Sequence, residues 1–145
     1  SENAQSGKLD SDKLQVCQGK EQKIKNMFEN TNQLGQGQLN LFENIANKVQ
    51  NFYETNKTQL TVENYDSLVA EMTATRTAAQ TAMQTATRLA SEFGCDSDDP
   101  KGTVNEYKAQ IQTQMQELKN YRTAIKNLVS AIKASVEADN ASEEQ

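Results

Sequence analysis

The stretch Gly94-Cys95-Asp96-Ser97-Asp98-Asp99-Pro100-Lys101-Gly102 interrupts an otherwise helical sequence. It contains the only proline of the chain and one of its two cysteines, and long amphipathic patterns lie on both sides of it. Because proline and glycine commonly end helices and mark turns, this stretch predicts a corner at which the chain reverses direction. The only possible intrachain disulfide partner of Cys95 is Cys17.

Three helical segments are predicted, at about 11–57, 62–93 and 103–138. Side chains expected to face the core recur at steps of three and four residues in each segment. In the first they are Ile24, Phe28, Thr31, Gly35, Gln38, Phe42, Ile45, Val49, Phe52 and Asn56, with Met27, Leu34 and Leu41 beside them. In the second they are Tyr65, Leu68, Met72, Thr75, Ala79, Ala82, Ala86, Leu89 and Phe93. In the third they are Val104, Tyr107, Ile111, Met115, Leu118, Tyr121, Ile125, Leu128, Ile132 and Val136.

Short connections between long helices favour antiparallel neighbours. The sequence therefore predicts an all-α fold, an elongated antiparallel three-helix bundle with coiled-coil-like packing, as one domain over residues 11–138. Residues 1–10 and the acidic tail 139–145 lack apolar periodicity and are predicted to be disordered.

Two local features leave alternatives open. Gly35 and Gly37 could bend or break the first helix, or they could let a neighbouring helix approach closely; a continuous but possibly bent helix is favoured. The third helix could start at Pro100, with Asp99 as its cap, or at Thr103, which opens a capping box.

Helix lengths place the two cysteines at nearly the same level of the bundle. At 1.5 Å per residue, Cys17 lies roughly 60 Å back from a turn near residue 58, and the second helix returns about 48 Å. Two extended residues add roughly 6 Å before Cys95, which leaves a mismatch of about one helical turn. We therefore expect a Cys17–Cys95 disulfide.

Composition excludes several function classes. The chain of 145 residues has no His, which removes imidazole ligands and His-based nucleophile activation. Its net charge of -5 disfavours binding to nucleic acid. No apolar run approaches the roughly 18 residues of a membrane span. The chain starts Ser-Glu-Asn, without Met, and we expect that an export signal has been removed.

No cofactor, metal or catalytic residue is expected. Asp96, Asp98 and Asp99 could suggest a calcium loop, but the EF-hand order is missing, and acidic residues are favourable before a helix N-terminus. Cys95 beside these carboxylates is a poor nucleophile.

Other candidate binding residues have simple structural interpretations. Tyr107 and Tyr121 fall on the apolar side of the third helix, so they are interpreted as core residues and not as a ligand site. Arg122 and Lys126, four residues apart, could contact an acidic partner, but an ordinary solvated face is favoured.

Four motifs follow one another across roughly residues 14–136: Val16-Cys17-Gln18, Asn64-Tyr65-Asp66-Ser67-Leu68-Val69-Ala70, Cys95-Asp96-x-Asp98-Asp99-Pro100-Lys101 and Tyr121-Arg122-Thr123-Ala124-Ile125-Lys126-Asn127-Leu128. In this order they resemble motifs of small predicted helical proteins from Candidate Phyla Radiation (Patescibacteria-type) bacteria. The resemblance implies a secreted or cell-envelope location and supports the cysteine pairing. It implies no activity.

The expected function is therefore that of a non-enzymatic exported protein which acts through surface contacts, in an envelope, adhesion or scaffold role. The expected partner is a protein. The alternative is a periplasmic or extracellular holdase or carrier that shields apolar ligands or client proteins, with Gly35 and Gly37 as hinge points.

Overall fold

The computed structural model describes residues 7–144 and contains three long helices, α1 (Ser11–Asn56), α2 (Tyr65–Glu92) and α3 (Pro100–Glu143). The all-α three-helix bundle is confirmed. Residues 1–6 and 145, for which disorder is predicted, lie outside the described residues.

The helices contribute to two compact units. The first, here the cystine unit, comprises the described residues up to Gln36 together with Gln80–Met115; the second comprises Gly37–Ala79 together with residues 116–144. α1 starts in the cystine unit and ends in the second unit, α2 does the reverse, and α3 repeats the direction of α1. This is the up-down-up order of an antiparallel bundle. That residues 11–138 behave as one domain stays a prediction.

The N-termini of α1 and α3 are each capped by an aspartate. The Lys13 amide donates to Asp10 Oδ1 at 2.9 Å, and the Gly102 amide donates to Asp99 Oδ1 at 3.0 Å. These bonds satisfy amide groups that a helix start leaves without a partner. The third helix therefore starts at Pro100 with Asp99 as its cap, and the predicted start at residue 103 is wrong because Gly102 lies inside the helix.

Two other boundaries differ from the expected ones. α2 begins at Tyr65 and not at residue 62, because residues 62–65 form a turn in which the Tyr65 amide donates to the Val62 carbonyl oxygen at 3.2 Å. α3 continues to Glu143, through residues expected to be a disordered tail. Ala138 and Ala141 favour helix, and no Gly or Pro interrupts this segment.

The predicted buried face of α1 is partly wrong in its second half. Gln38, Ile45 and Phe52 are exposed, as are the flanking Met27, Leu34 and Leu41. Phe42 and Val49 face the interior as predicted, and Leu39, Ala46 and Tyr53 join them in place of the exposed residues. The prediction took the residue three positions after each of Gly35, Phe42 and Val49, whereas the interior residue lies four positions after. Neighbours at i+3 and i+4 lie on the same side of a helix, so a periodic pattern does not distinguish them.

The predicted face of α2 is confirmed. Its large end residues and small middle residues are all buried or half-buried. Thr75 is accommodated because its hydroxyl donates to the Glu71 carbonyl oxygen at 2.8 Å. Small side chains at Ala79, Ala82 and Ala86 permit close helix packing.

Gly35 accommodates a buried polar side chain. A Cβ atom at this position would overlap the side-chain amide of Gln114, whereas a Cβ atom at Gly37 would meet nothing within 4 Å. Gln114 is buried, and the neighbouring Met115, which was predicted to face the core, is 52% exposed. α1 is continuous through both glycines, so the close-approach interpretation holds for Gly35.

The corrected face of α1 predicts a contrast between two nearby leucines. Leu39 is 2% exposed and Leu41 is 56% exposed. Leu39→Ala should lower the free energy of unfolding by about 2–5 kcal/mol through loss of buried apolar contacts. Leu41→Ala should change it by less than about 0.5 kcal/mol. Urea unfolding followed by circular dichroism measures both, and equal effects would contradict the assignment of faces.

The two glycines predict a second contrast. Gly37→Ala should stabilise the protein by about 0.5–1 kcal/mol, because alanine favours helix and the added methyl group meets open space. Gly35→Ala should give no such gain, since Gln114 would have to move. Thermal unfolding of both variants tests this, and a stabilised Gly35→Ala protein would refute the close packing inferred at Gly35.

Candidate binding surface

A disulfide joins Cys17 to Cys95, 78 residues apart in sequence, with a Cα–Cα distance of 5.8 Å. Cys95 is 1% exposed, and its amide donates to Glu21 Oε1 of α1 at 3.0 Å. The predicted pairing is therefore present. Since both cysteines of the chain are bonded to each other, neither carries a free thiol.

An aromatic cluster adjoins the disulfide. The rings of Phe28 and Phe93 meet edge to face with centroids 5.6 Å apart, and the ring of Tyr107 lies 4.0 Å from that of Phe28. Ala86 and Leu89 complete this core with Cys95. One ring from each helix, or from the residues next to it, thus joins the core cluster that contains Cys95.

Tyr107 and Tyr121 are core residues, as interpreted from sequence. The Tyr107 hydroxyl donates to the Phe28 carbonyl oxygen at 3.0 Å, and Asn32 Oδ1 lies 2.8 Å from the same hydroxyl. Burial raises the pKa of both tyrosines above the ordinary value of 10.0. Near neutral pH they are therefore protonated packing groups.

Two of the three acidic residues in the loop before α3 have structural partners, and the third, Asp96, is exposed. Asp99 caps α3, and Asp98 lies 3.7 Å from the ammonium group of Lys8. The loop itself is held by Ser97, whose amide and hydroxyl both donate to the Gly94 carbonyl oxygen. Within residues 7–144, no three acidic or cysteine side chains are grouped as a metal site would require.

An open apolar groove of about 410 Å³ lies against the disulfide, and we call it the cystine groove. Its volume is within the roughly 300–1,000 Å³ of ligand-binding pockets. Besides Cys17, the apolar residues that line it are Leu9, Val16, Ile24, Phe93, Pro100 and Val104, and the charged ones are Asp12, Lys13, Lys20 and Lys101. Val16 is 61% exposed, so part of this apolar surface faces solvent.

Its walls come from α1 and from the start of α3. Lys13, Val16, Lys20 and Ile24 recur at three- and four-residue steps, so they share one face of α1. Pro100 places Lys101 and Val104 opposite, in the first turns of α3. The disulfide fixes the α1 wall relative to the loop that leads into α3.

A second groove of about 400 Å³ lies within the second unit. Its apolar side chains are Val49, Phe52, Val129, Ile132 and Val136, and its charged side chains are Lys48 and Lys133. We call it the valine groove. Arg122 and Lys126, the basic pair considered in the sequence, are exposed and line neither groove.

The groove lysines were not among the residues singled out from the sequence. Lys13 and Lys20 fall between apolar positions of the first helix, and Lys101 lies in the loop motif. Only the crossing of α1 with the start of α3 brings them to one opening. The sequence signal for these lysines is the seven-residue spacing of Lys13 and Lys20, which places both on the same helix face as Val16.

No helix within residues 7–144 has the length and hydrophobicity needed to cross a membrane. Comparison of the chain with protein-family models, with curated proteins and with solved structures finds no match.

The disulfide predicts a large loss of stability on its removal. The double variant Cys17→Ala/Cys95→Ala should lower the free energy of unfolding by about 4 kcal/mol, because a long loop in the unfolded chain is no longer closed. Denaturant unfolding of the variant and of the oxidised wild type measures this difference. Reduced wild type is the matched control and should resemble the variant; equal stability of all three would contradict the proposed contribution.

Proposed function

We propose that this chain is an exported, non-enzymatic protein that acts through surface contacts, and that the cystine groove is its contact surface for a protein partner. The observation that carries the proposal is an open apolar groove built against a disulfide. Apolar area with a polar rim is typical of protein-binding surfaces.

Export is supported by the disulfide, because such bonds persist mainly in oxidising compartments. The resemblance to small exported bacterial proteins points the same way, towards a secreted or cell-envelope location. An envelope, adhesion or scaffold role is consistent with a groove that is fixed covalently and needs no cofactor.

A non-enzymatic role is supported by the chemistry of the side chains. The chain has no His, its two thiols are joined in the disulfide, and burial raises the pKa of Tyr107 and Tyr121 away from neutrality. These facts leave the groove with apolar groups, lysines and one aspartate. Such a set can bind more readily than it can catalyse.

The second candidate is a carrier or holdase for apolar ligands or client proteins. It is favoured by the valine groove, where Phe52 and Val129 expose apolar area. The hinge expected at Gly35 and Gly37 receives no support, because α1 is continuous there and Gly35 packs on Gln114. We therefore rank this role below fixed surface contact.

Site-specific photo-crosslinking tests the proposed function. A benzophenone amino acid replaces Val16 in the cystine groove, or the exposed Asn30 elsewhere on α1 as the matched control. In cells that express the protein natively, irradiation should give discrete polypeptide adducts from position 16 and none from position 30. Adducts of equal yield from both positions, or none from position 16, would overturn the assignment of the surface.

A further inference from the structure

We infer that the cystine groove binds an acidic amphipathic helix of its protein partner. The inference rests on the proposed function and adds the chemistry of the partner. It follows from the shape of the groove, from its charges and from the recurrence of the same chemistry in the valine groove.

The shape of the groove suits a helix. Its α1 wall runs from Asp12 to Ile24, which spans roughly 18 Å at 1.5 Å per residue. A partner helix of about three turns covers that length. The opposite wall is the start of α3, so the occupant would lie between two helices, and apolar groups at i, i+3 and i+4 of a helix fit such a groove.

The charges of the groove select an anionic partner. Lys13, Lys20 and Lys101 line it, against the single carboxylate of Asp12. Within residues 7–144, none of these three ammonium groups lies in an ion pair with a carboxylate. They are therefore available to Asp or Glu side chains that flank an apolar stripe.

Carboxylates close to the groove are oriented by other partners. Asp10 and Asp99 cap α1 and α3. Asp98 pairs with Lys8, and Glu21 accepts from the Cys95 amide and lies 3.8 Å from the ammonium group of Lys25. Among the side chains that line the groove itself, three lysines therefore accompany one aspartate.

The valine groove repeats this pattern independently. Lys48 and Lys133 line it, and no acidic side chain does. The two grooves together have five lysines and one aspartate, although the chain has 15 Lys and Arg against 20 Asp and Glu. Lysines therefore outnumber carboxylates in the lining of both grooves, although the chain as a whole is acidic.

Three synthetic 14-residue helical peptides test the inference. They share leucines at i, i+3, i+4 and i+7 and differ only in flanking residues, which are Glu, Gln or Lys. Fluorescence anisotropy with the oxidised full chain should show at least tenfold tighter binding of the Glu peptide than of the Lys peptide. Its affinity should fall as salt rises from 0.05 to 0.5 M, since salt screens exposed charges.

Charge reversal locates the effect. The triple variant Lys13→Glu/Lys20→Glu/Lys101→Glu should invert the preference and bind the Lys peptide more tightly. The control Lys23→Glu/Lys108→Glu/Lys119→Glu changes net charge equally at exposed positions outside both grooves, and it should keep the wild-type order. Circular dichroism verifies that both variants fold.

Each other outcome overturns the inference. Equal binding of the three peptides means that lysine stems only shield the apolar floor, and binding of laurate without any peptide means a lipid ligand. Self-association that blocks the groove, seen by sedimentation, means a second copy as occupant. No binding at all excludes an acidic helix, while the adducts at position 16 still test the proposed function separately.

Discussion

The Cys17–Cys95 disulfide is the constraint on which the cystine unit depends. It ties the second turn of α1 to the loop between α2 and α3, 78 residues further along the chain. Phe28, Phe93 and Tyr107 belong to the same core cluster as Cys95, so covalent and apolar restraints act on the same unit. The groove exists because these restraints hold α1 against the start of α3. Loss of the bond would therefore affect the groove as well as stability.

Local sequence signals predicted much of this architecture. Pro100 with Asp99 marked the corner, and the heptad from Tyr65 to Phe93, large at its ends and small in its middle, identified the buried face of α2. The cysteine pairing followed from the presence of only two cysteines together with the helix lengths. These features depend on the chemistry of neighbouring residues or on distances along a helix. Both can be derived from the sequence.

Two features could not be found in this way, because they depend on contacts between helices. Gln114 is buried where Met115 was predicted to be, because Gly35 lies opposite it and has no side chain in the way. Likewise, the interior residues after Gly35, Phe42 and Val49 lie four positions further on and not three, and a periodic pattern cannot distinguish these two spacings because both place residues on the same side of a helix. The lysine-rimmed groove is of the same kind, since Lys20 and Lys101 belong to different helices.

The most direct test is the redox state of the native protein. Protein purified from its own cells under alkylating conditions is digested without reduction and analysed by mass spectrometry. We expect one cross-linked peptide pair that contains Cys17 and Cys95, with no alkylation of either residue until a reductant is added. Two alkylated cysteines in the unreduced native protein would contradict the disulfide, the inference of export and the fixed groove together.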